Sequence, residues 1–96
     1  MLPAHIYLNG EVMNYVYLIQ RVDANIFYLG STTDLKRRLQ EHNKGIGCKA
    51  TKGYQWKIKY YEAYQTIEEA RKRESLLKRH RGSKRALYDR LEIEFK

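Results

Sequence analysis

Apolar and polar positions change their period several times along the chain, and each change marks an element. Tyr15, Val16, Tyr17, Leu18 and Ile19 form an unbroken apolar run rich in aromatic and β-branched residues, which predicts a central strand buried on both faces. Ile26, Phe27, Tyr28 and Leu29 repeat that run. The polar stretch from Arg21 to Asn25 between them has hairpin length, so the two strands are expected to pair antiparallel, with Gly30 ending the second. From Trp56 to Tyr64 the period is two. Trp56, Ile58 and Tyr60 alternate with Lys57, Lys59 and Tyr61, which predicts a third strand with one basic face.

Between the strands the period lengthens to that of a helix. Thr32, Thr33 and Asp34 are all competent N-caps, and Leu35, Leu39 and His42 recur at helical spacing until Gly45 supplies a stop, which predicts a helix over about 34–44. Arg38 precedes His42 by one turn, so both project from one side of it. Thr66 followed by Glu69 is a capping box that opens a second helix running to about Arg79. On that helix Ile67, Ala70, Glu74 and Leu77 fall at i, i+3, i+7 and i+10, which places a carboxylate in the stripe that should face the core. Burying it is costly unless it meets a cation, a metal or hydrogen-bond donors. Gly82 and Ser83 are expected to break and recap the chain before a short third helix around Ala86, Leu87 and Leu91. These elements describe an α+β fold, a three-stranded central sheet containing an antiparallel pair and flanked by about three helices. Residues 1–13, with Pro3 and the turn pair Asn9 and Gly10, read as an extension, 14–91 as the domain and 92–96 as a tail.

A chain of 96 residues is one domain's worth, so a site on a sheet face or shallow groove is expected rather than a deep cavity. Charge narrows the class of partner. The formal net charge is +8, and residues 71–90 alone carry nine Lys and Arg against two acids, which favours a polyanion through phosphate neutralisation. The loop from Lys44 to Gly53, with three glycines and three lysines, could approach phosphates as well, although loop solvation explains it equally. Candidate nucleic-acid contacts are therefore Lys49, Lys52, Arg73, Lys78, Arg79, Arg81, Lys84 and Arg85. No run reads as a signal peptide or membrane span, so the protein is expected in the cytoplasm with no membrane partner. Cys48 is the only cysteine, which excludes an internal disulfide and a multi-cysteine zinc site and leaves an incidental thiol. The chain has no glycine-rich phosphate loop, no paired histidines at metal spacing and no serine elbow. What remains is a set of tyrosines on adjacent strands, an Arg and a His one turn apart, and a Glu beside a basic cluster. That combination suits phosphodiester chemistry.

Tyr15, Val16, Tyr17, then Tyr28, Leu29, Gly30, followed by Leu35, Arg38, Leu39, His42 and Asn43, resembles the signature of the GIY-YIG endonuclease superfamily. Tyr60, Tyr61, Glu62 and Ala63, with Arg73, Glu74, Leu77 and Lys78, resemble its small single-domain bacterial branch, and the likeness extends over about residues 14–91. The resemblance implies a metal-dependent endonuclease that hydrolyses phosphodiesters. Tyr17 and Tyr28 match the tyrosines that line the attacking water and act with it as general base. Arg38 matches the arginine that holds the scissile phosphate. His42 matches the histidine that assists proton movement. Glu74 matches the single metal-binding carboxylate, which would take one Mg²⁺ or Mn²⁺. The five side chains should then converge on one side of the sheet, with Glu74 facing it from the second helix. DNA, branched, flapped or duplex, is the implied partner, with RNA open on the same chemistry and repair or recombination the implied setting.

Three departures bear on this. Tyr15 stands where the family has the first glycine, Ser31 where some members place a lysine, and no asparagine follows Asn43, whereas many catalytic members carry one after the glutamate. The alternative implied by the last departure is a weakly active or inactive nucleic-acid-binding module with the same fold. The chain shows no separate region to read a long site, so recognition of DNA shape, or a protein partner that supplies specificity, is expected.

Overall fold

The computed structural model describes residues 7–8 and 11–95. Among them the chain runs β1 (Tyr7–Leu8), β2 (Glu11–Val12), β3 (Asn14–Arg21), β4 (Phe27–Thr32), α1 (Leu35–Asn43), a 3₁₀ turn at Lys49–Thr51, β5 (Trp56–Tyr64), α2 (Ile67–Arg79) and α3 (Arg81–Arg90). Pro3, Asn9 and Gly10 lie outside the described residues.

The apolar run at 15–19 takes the centre of the sheet, because only a strand covered on both faces can bury side chains of both parities. Strand order is β4-β3-β5 with both neighbours antiparallel, and Tyr15 to Ile19 are all buried. Tyr15, Tyr17 and Ile19 pack with Leu35 of α1 and with Trp56. Val16 packs with Ala70 and Leu77 of α2 and Leu87 of α3. One face of the sheet therefore carries α1, and the other carries α2 and α3, as an α+β fold requires.

Local signals place the helices. Asp34 caps α1 by accepting from the Arg37 amide, and Thr66 and Glu69 form the reciprocal capping box of α2. Ile67, expected in the core stripe, is 42% exposed. The boundary between α2 and α3 lies at His80, which closes the first helix and caps the second by accepting from the Ser83 amide. Gly82 and Ser83, expected to break the chain, sit inside the first turn of α3.

The strands differ from expectation in two ways. Gly30 does not end β4: it pairs with Tyr17, and the ladder continues until Thr32 meets Tyr15. A Cβ at Gly30 would overlap the Tyr17 ring tip, so the glycine makes room for a side chain on the neighbouring strand. In β5 the register shifts, with Leu18 opposite Tyr60 but Ile19 opposite Ile58, so Lys59 is an extra residue in a β-bulge. Trp56 and Ile58 then join the core under α1, while Tyr60 and Tyr64 join the core under α2 and α3. The single basic face expected of Lys57, Lys59 and Tyr61 does not form, because the bulge exchanges the two sides halfway along the strand.

Beyond the bulge Glu62 organises a polar cluster. Arg73 of α2 grips its carboxylate with two bonds of 2.9 and 3.0 Å, and the hydroxyls of Tyr60 and Tyr64 donate to it. Burial pushes the Glu62 carboxyl up, but the bonds from Arg73, Tyr64 and Tyr60 outweigh it and hold the group below its ordinary range. The loss of solvent, followed by the same carboxylate, pushes Tyr64 up to about 12. A carboxyl depressed in the folded state stabilises above its unfolded pKa and loses that contribution as pH falls through the folded value. Glu62→Gln is therefore expected to lower stability at neutral pH by on the order of 1–3 kcal/mol. It should also flatten the decline in urea midpoint below pH 4.5, the ordinary value for the group. Urea titrations of both proteins at neutral and acid pH check this.

Candidate active site

The capped first turn of α1 points Arg38 and His42, one turn apart, back at the central strand. His42 is fully buried, and its Nε2 lies 2.8 Å from the Tyr17 hydroxyl. Arg38 Nε donates to that hydroxyl at 3.4 Å while its Nη1 holds Glu41 at 3.0 Å. On the other side of the imidazole, Nδ1 lies 2.7 Å from Oγ1 of the buried Thr51, whose hydroxyl donates to the Cys48 carbonyl at 3.3 Å. With the imidazole proton on Nδ1, these groups satisfy one another in one direction. With Arg38 donating to the Tyr17 oxygen and Thr51 donating to the carbonyl, Tyr17 gives its proton to Nε2 and Nδ1–H gives its own to Thr51. Burial and the Arg38 charge both lower the His42 pKa, so the ring is neutral and Nε2 is free to accept.

Two glycines make the arrangement possible. Gly30 lies against the end of the Tyr17 ring, and a Cβ at Gly47 would meet His42 Nδ1 and its Cα within 3.0 Å. Tyr28 completes the group. Its ring stands edge-on to His42 with centroids 5.5 Å apart. The Cys48 thiol in contact with it, followed by burial, pushes its pKa up, and burial against the opposing Arg38 pushes Tyr17 up as well. Both tyrosines are thus neutral at physiological pH and need a base before they can take a proton. Tyr17, Tyr28, Arg38 and His42 share the face covered by α1.

Glu74 does not share it. Ser31 Oγ donates to Glu74 at 2.6 Å and Lys78 Nζ at 2.7 Å, which places the carboxylate on the α2 side of the edge strand. Successive residues of a strand point to opposite faces, so Gly30 opens toward Tyr17 and Ser31 toward α2. The expected convergence of five side chains on one side is corrected to four, with the fifth across β4. The separation is thin enough for the Glu74 charge to raise the Tyr17 pKa. Burial pushes Glu74 up, but Lys78 and Ser31 outweigh it and keep it ionised. Among the described residues no group of three or more His, Cys, Asp and Glu could hold a metal. One ionised carboxylate beside a hydroxyl nevertheless suits a hard divalent cation that keeps its waters and takes further oxygens from a phosphate.

The candidate phosphate contacts divide into two sets. Lys49 and Lys52 are exposed at the 3₁₀ turn, and Lys78, Arg79, Arg81 and Arg85 are exposed along α2 and α3, with Lys84 half-buried beside them. Arg73 is drawn away, both of its bonds going to Glu62. Thr51 is the functional candidate that the sequence hid, while Ser31, which the sequence offers only as a departure from the family pattern, gains a bond to Glu74. A threonine inside a glycine-rich basic loop carries no periodic signal, yet the Trp56 indole donates to its carbonyl at 2.9 Å and anchors it under His42. Thr51→Val should leave Nδ1–H without an acceptor and shift His42 toward the Nε2–H tautomer, at about 1–3 kcal/mol of stability. The ¹⁵N shifts of the imidazole report that change, and Thr51→Ser should keep the wild-type pattern.

No helix among the described residues is long and apolar enough to cross a membrane. The model of the GIY-YIG catalytic domain matches residues 13–88. UPF0213 protein VNG_2274C of Halobacterium salinarum is 38% identical over 78 residues, 79% of this chain and 100% of that protein. UPF0213 protein SAG0778 of Streptococcus agalactiae is 41% identical over 69 residues, 71% of this chain and 77% of that protein. UPF0213 protein CPE1444 of Clostridium perfringens is 38% identical over 68 residues, 70% and 72% of the two chains. No solved structure matches. With the matched residues spanning both tyrosine strands, α1 with its Arg38 and His42, and the helix that carries Glu74, the chain belongs to the GIY-YIG family of nuclease-type domains.

Proposed function

We propose that the protein is a divalent-metal-dependent endonuclease that hydrolyses phosphodiester bonds in DNA and selects its substrate by structure. The observation that carries this reading is the chain of hydrogen-bond contacts from Arg38 through Tyr17 and His42 to Thr51. In the free protein Arg38 holds the Tyr17 hydroxyl. A scissile phosphate takes the guanidinium over and leaves that hydroxyl to a water. As the water attacks phosphorus, its proton passes to the Tyr17 oxygen and the tyrosine proton passes to His42 Nε2, so the buried imidazole stores the charge while Arg38 stabilises that of the phosphorane. Tyr28, half-buried at the same face, borders the approach. Bound at Glu74, a Mg²⁺ or Mn²⁺ ion would supply Lewis-acid stabilisation of the departing 3′ oxygen. The exposed cations of α2 and α3 fit a backbone-reading, shape-dependent grip, with DNA repair or recombination in the cytoplasm as its setting and a protein partner supplying any sequence specificity.

A second reading, a binding module with the same fold, draws support from Glu74 lying across the edge strand and from the missing asparagine. Incubating the protein with branched, flapped, duplex and single-stranded DNA, with Mg²⁺, Mn²⁺ or a chelator, separates the two. Cleavage of one structure that disappears with the chelator supports the nuclease. Tight, salt-sensitive binding with no cleavage under either metal leaves the binding module.

A further inference from the structure

A second concavity lies away from the tyrosine face. A cleft of about 420 Å³ opens between the end of α2, the outer side of α3, the start of β4 and the chain that follows α3. Its wall is three aromatic rings in series, with Phe27 and Tyr88 centroids 5.7 Å apart and Tyr88 and Phe95 also 5.7 Å apart. Its rim is cationic: Lys78, Arg79, Arg81 and Lys84 face the single carboxylate of Glu94. Arg81 rests 4.8 Å over the Phe95 ring and Lys84 5.6 Å from the Tyr88 ring, so cations already occupy the surfaces on which a flat group would stack. Lys78 ties the cleft to the candidate metal carboxylate, because the same ammonium that lines it binds Glu74 at 2.7 Å.

Rings and cations together select for a ligand with both a planar face and a phosphate. A simple anion has no use for three rings. A duplex offers no free base face, since each base is stacked on both sides. The volume lies within the range of about 300–1,000 Å³ usual for sites that enclose a small ligand. We propose that this cleft holds one unstacked nucleotide of a single-stranded nucleic acid, its base against the wall of Phe27, Tyr88 and Phe95 and its phosphates against Lys78, Arg81 and Lys84. This follows the pattern of a stacking platform set in an electrostatic groove. It rests on the nucleic-acid reading above and not on cleavage. A strand seated there passes Lys78 toward Glu74, so the substrate of the proposed enzyme is one with a single-stranded arm beside the scissile bond.

Fluorescence anisotropy at fixed moderate salt tests it with four probes of equal length: oligothymidylate, oligouridylate, an abasic oligomer and a duplex. Base-bearing single strands are expected to bind about tenfold more tightly than the abasic oligomer of the same charge, as one stacked base contributes. The two sugar arms show whether DNA or RNA is the natural source. Phe95→Ala should remove that preference and leave duplex affinity unchanged. In the wild-type protein, which keeps the test independent of that variant's folding, thymidine 5′-monophosphate should shift the ring signals of Phe27, Tyr88 and Phe95, and inorganic phosphate should not. Equal affinity for thymidylate and abasic oligomers, ring signals indifferent to the nucleotide, or an acidic peptide binding as tightly as thymidylate would overturn the proposal. A protein that cuts nothing yet prefers bases keeps this inference and loses the nuclease, and one that cuts without the preference does the reverse.

Discussion

Arg38→Ala is expected to slow cleavage by about 10²–10³, the effect of removing one donor aimed at the charge that develops in the transition state, worth roughly 3–4 kcal/mol. Binding should weaken far less, because the exposed cations of α2 and α3 remain to meet the phosphate backbone. The variant also frees the Tyr17 hydroxyl from its donor, which removes an influence that lowers the tyrosine pKa. Single-turnover cleavage and equilibrium binding measured on one substrate separate the two effects. A loss of affinity as large as the loss of rate would make Arg38 a binding residue and not a catalytic one.

Glu74→Ala should abolish metal-dependent cleavage and leave affinity equal or higher, since it deletes a negative charge among cations. Its position gives this result particular weight, because the carboxylate stands on the far side of β4 from the other four candidates. The fold should tolerate the change. Lys78 is half in solvent, so that ion pair contributes at most about 1 kcal/mol, and thermal melting checks it. Glu74→Gln keeps an acceptor for Ser31 while removing the charge, and should be as inactive as the alanine. Cleavage at the wild-type rate by either variant would show that Glu74 holds no metal.

The parts of this site legible in the sequence were those fixed by local rules. Asp34 and the pair Thr66 and Glu69 cap helices through atoms three residues away, so their positions announce the elements that carry Arg38, His42 and Glu74. The run at Tyr15 to Ile19 announces a doubly covered strand by composition alone. What stayed hidden depends on the third dimension. Glu74 keeps helical phase with Ala70 and Leu77, yet periodicity along α2 says only that it faces the sheet, not which face of the sheet α2 covers. Thr51 gains its place from an indole and an imidazole brought from other elements. The cap at His80 carries no strong sequence signal, because Gly82 and Ser83 nearby look like stronger breakers.

The extra residue at Lys59 makes β5 two half-strands of opposite polarity spliced end to end, one serving the tyrosine face and the other the Glu62 cluster. Chain length at that point is therefore a structural variable in its own right. A relative of the same length whose β5 ran without the bulge would turn its counterparts of Tyr60, Glu62 and Tyr64 away from α2 and toward the tyrosine face, whereas one lacking only the extra residue would keep them opposite Leu18, Val16 and Asn14 on the α2 side. A gap of one position at Lys59 is thus the one shortening of this strand that leaves both of its halves serving the same helices, whereas the same gap on either side of the bulge changes which helix that half serves unless the bulge is lost with it.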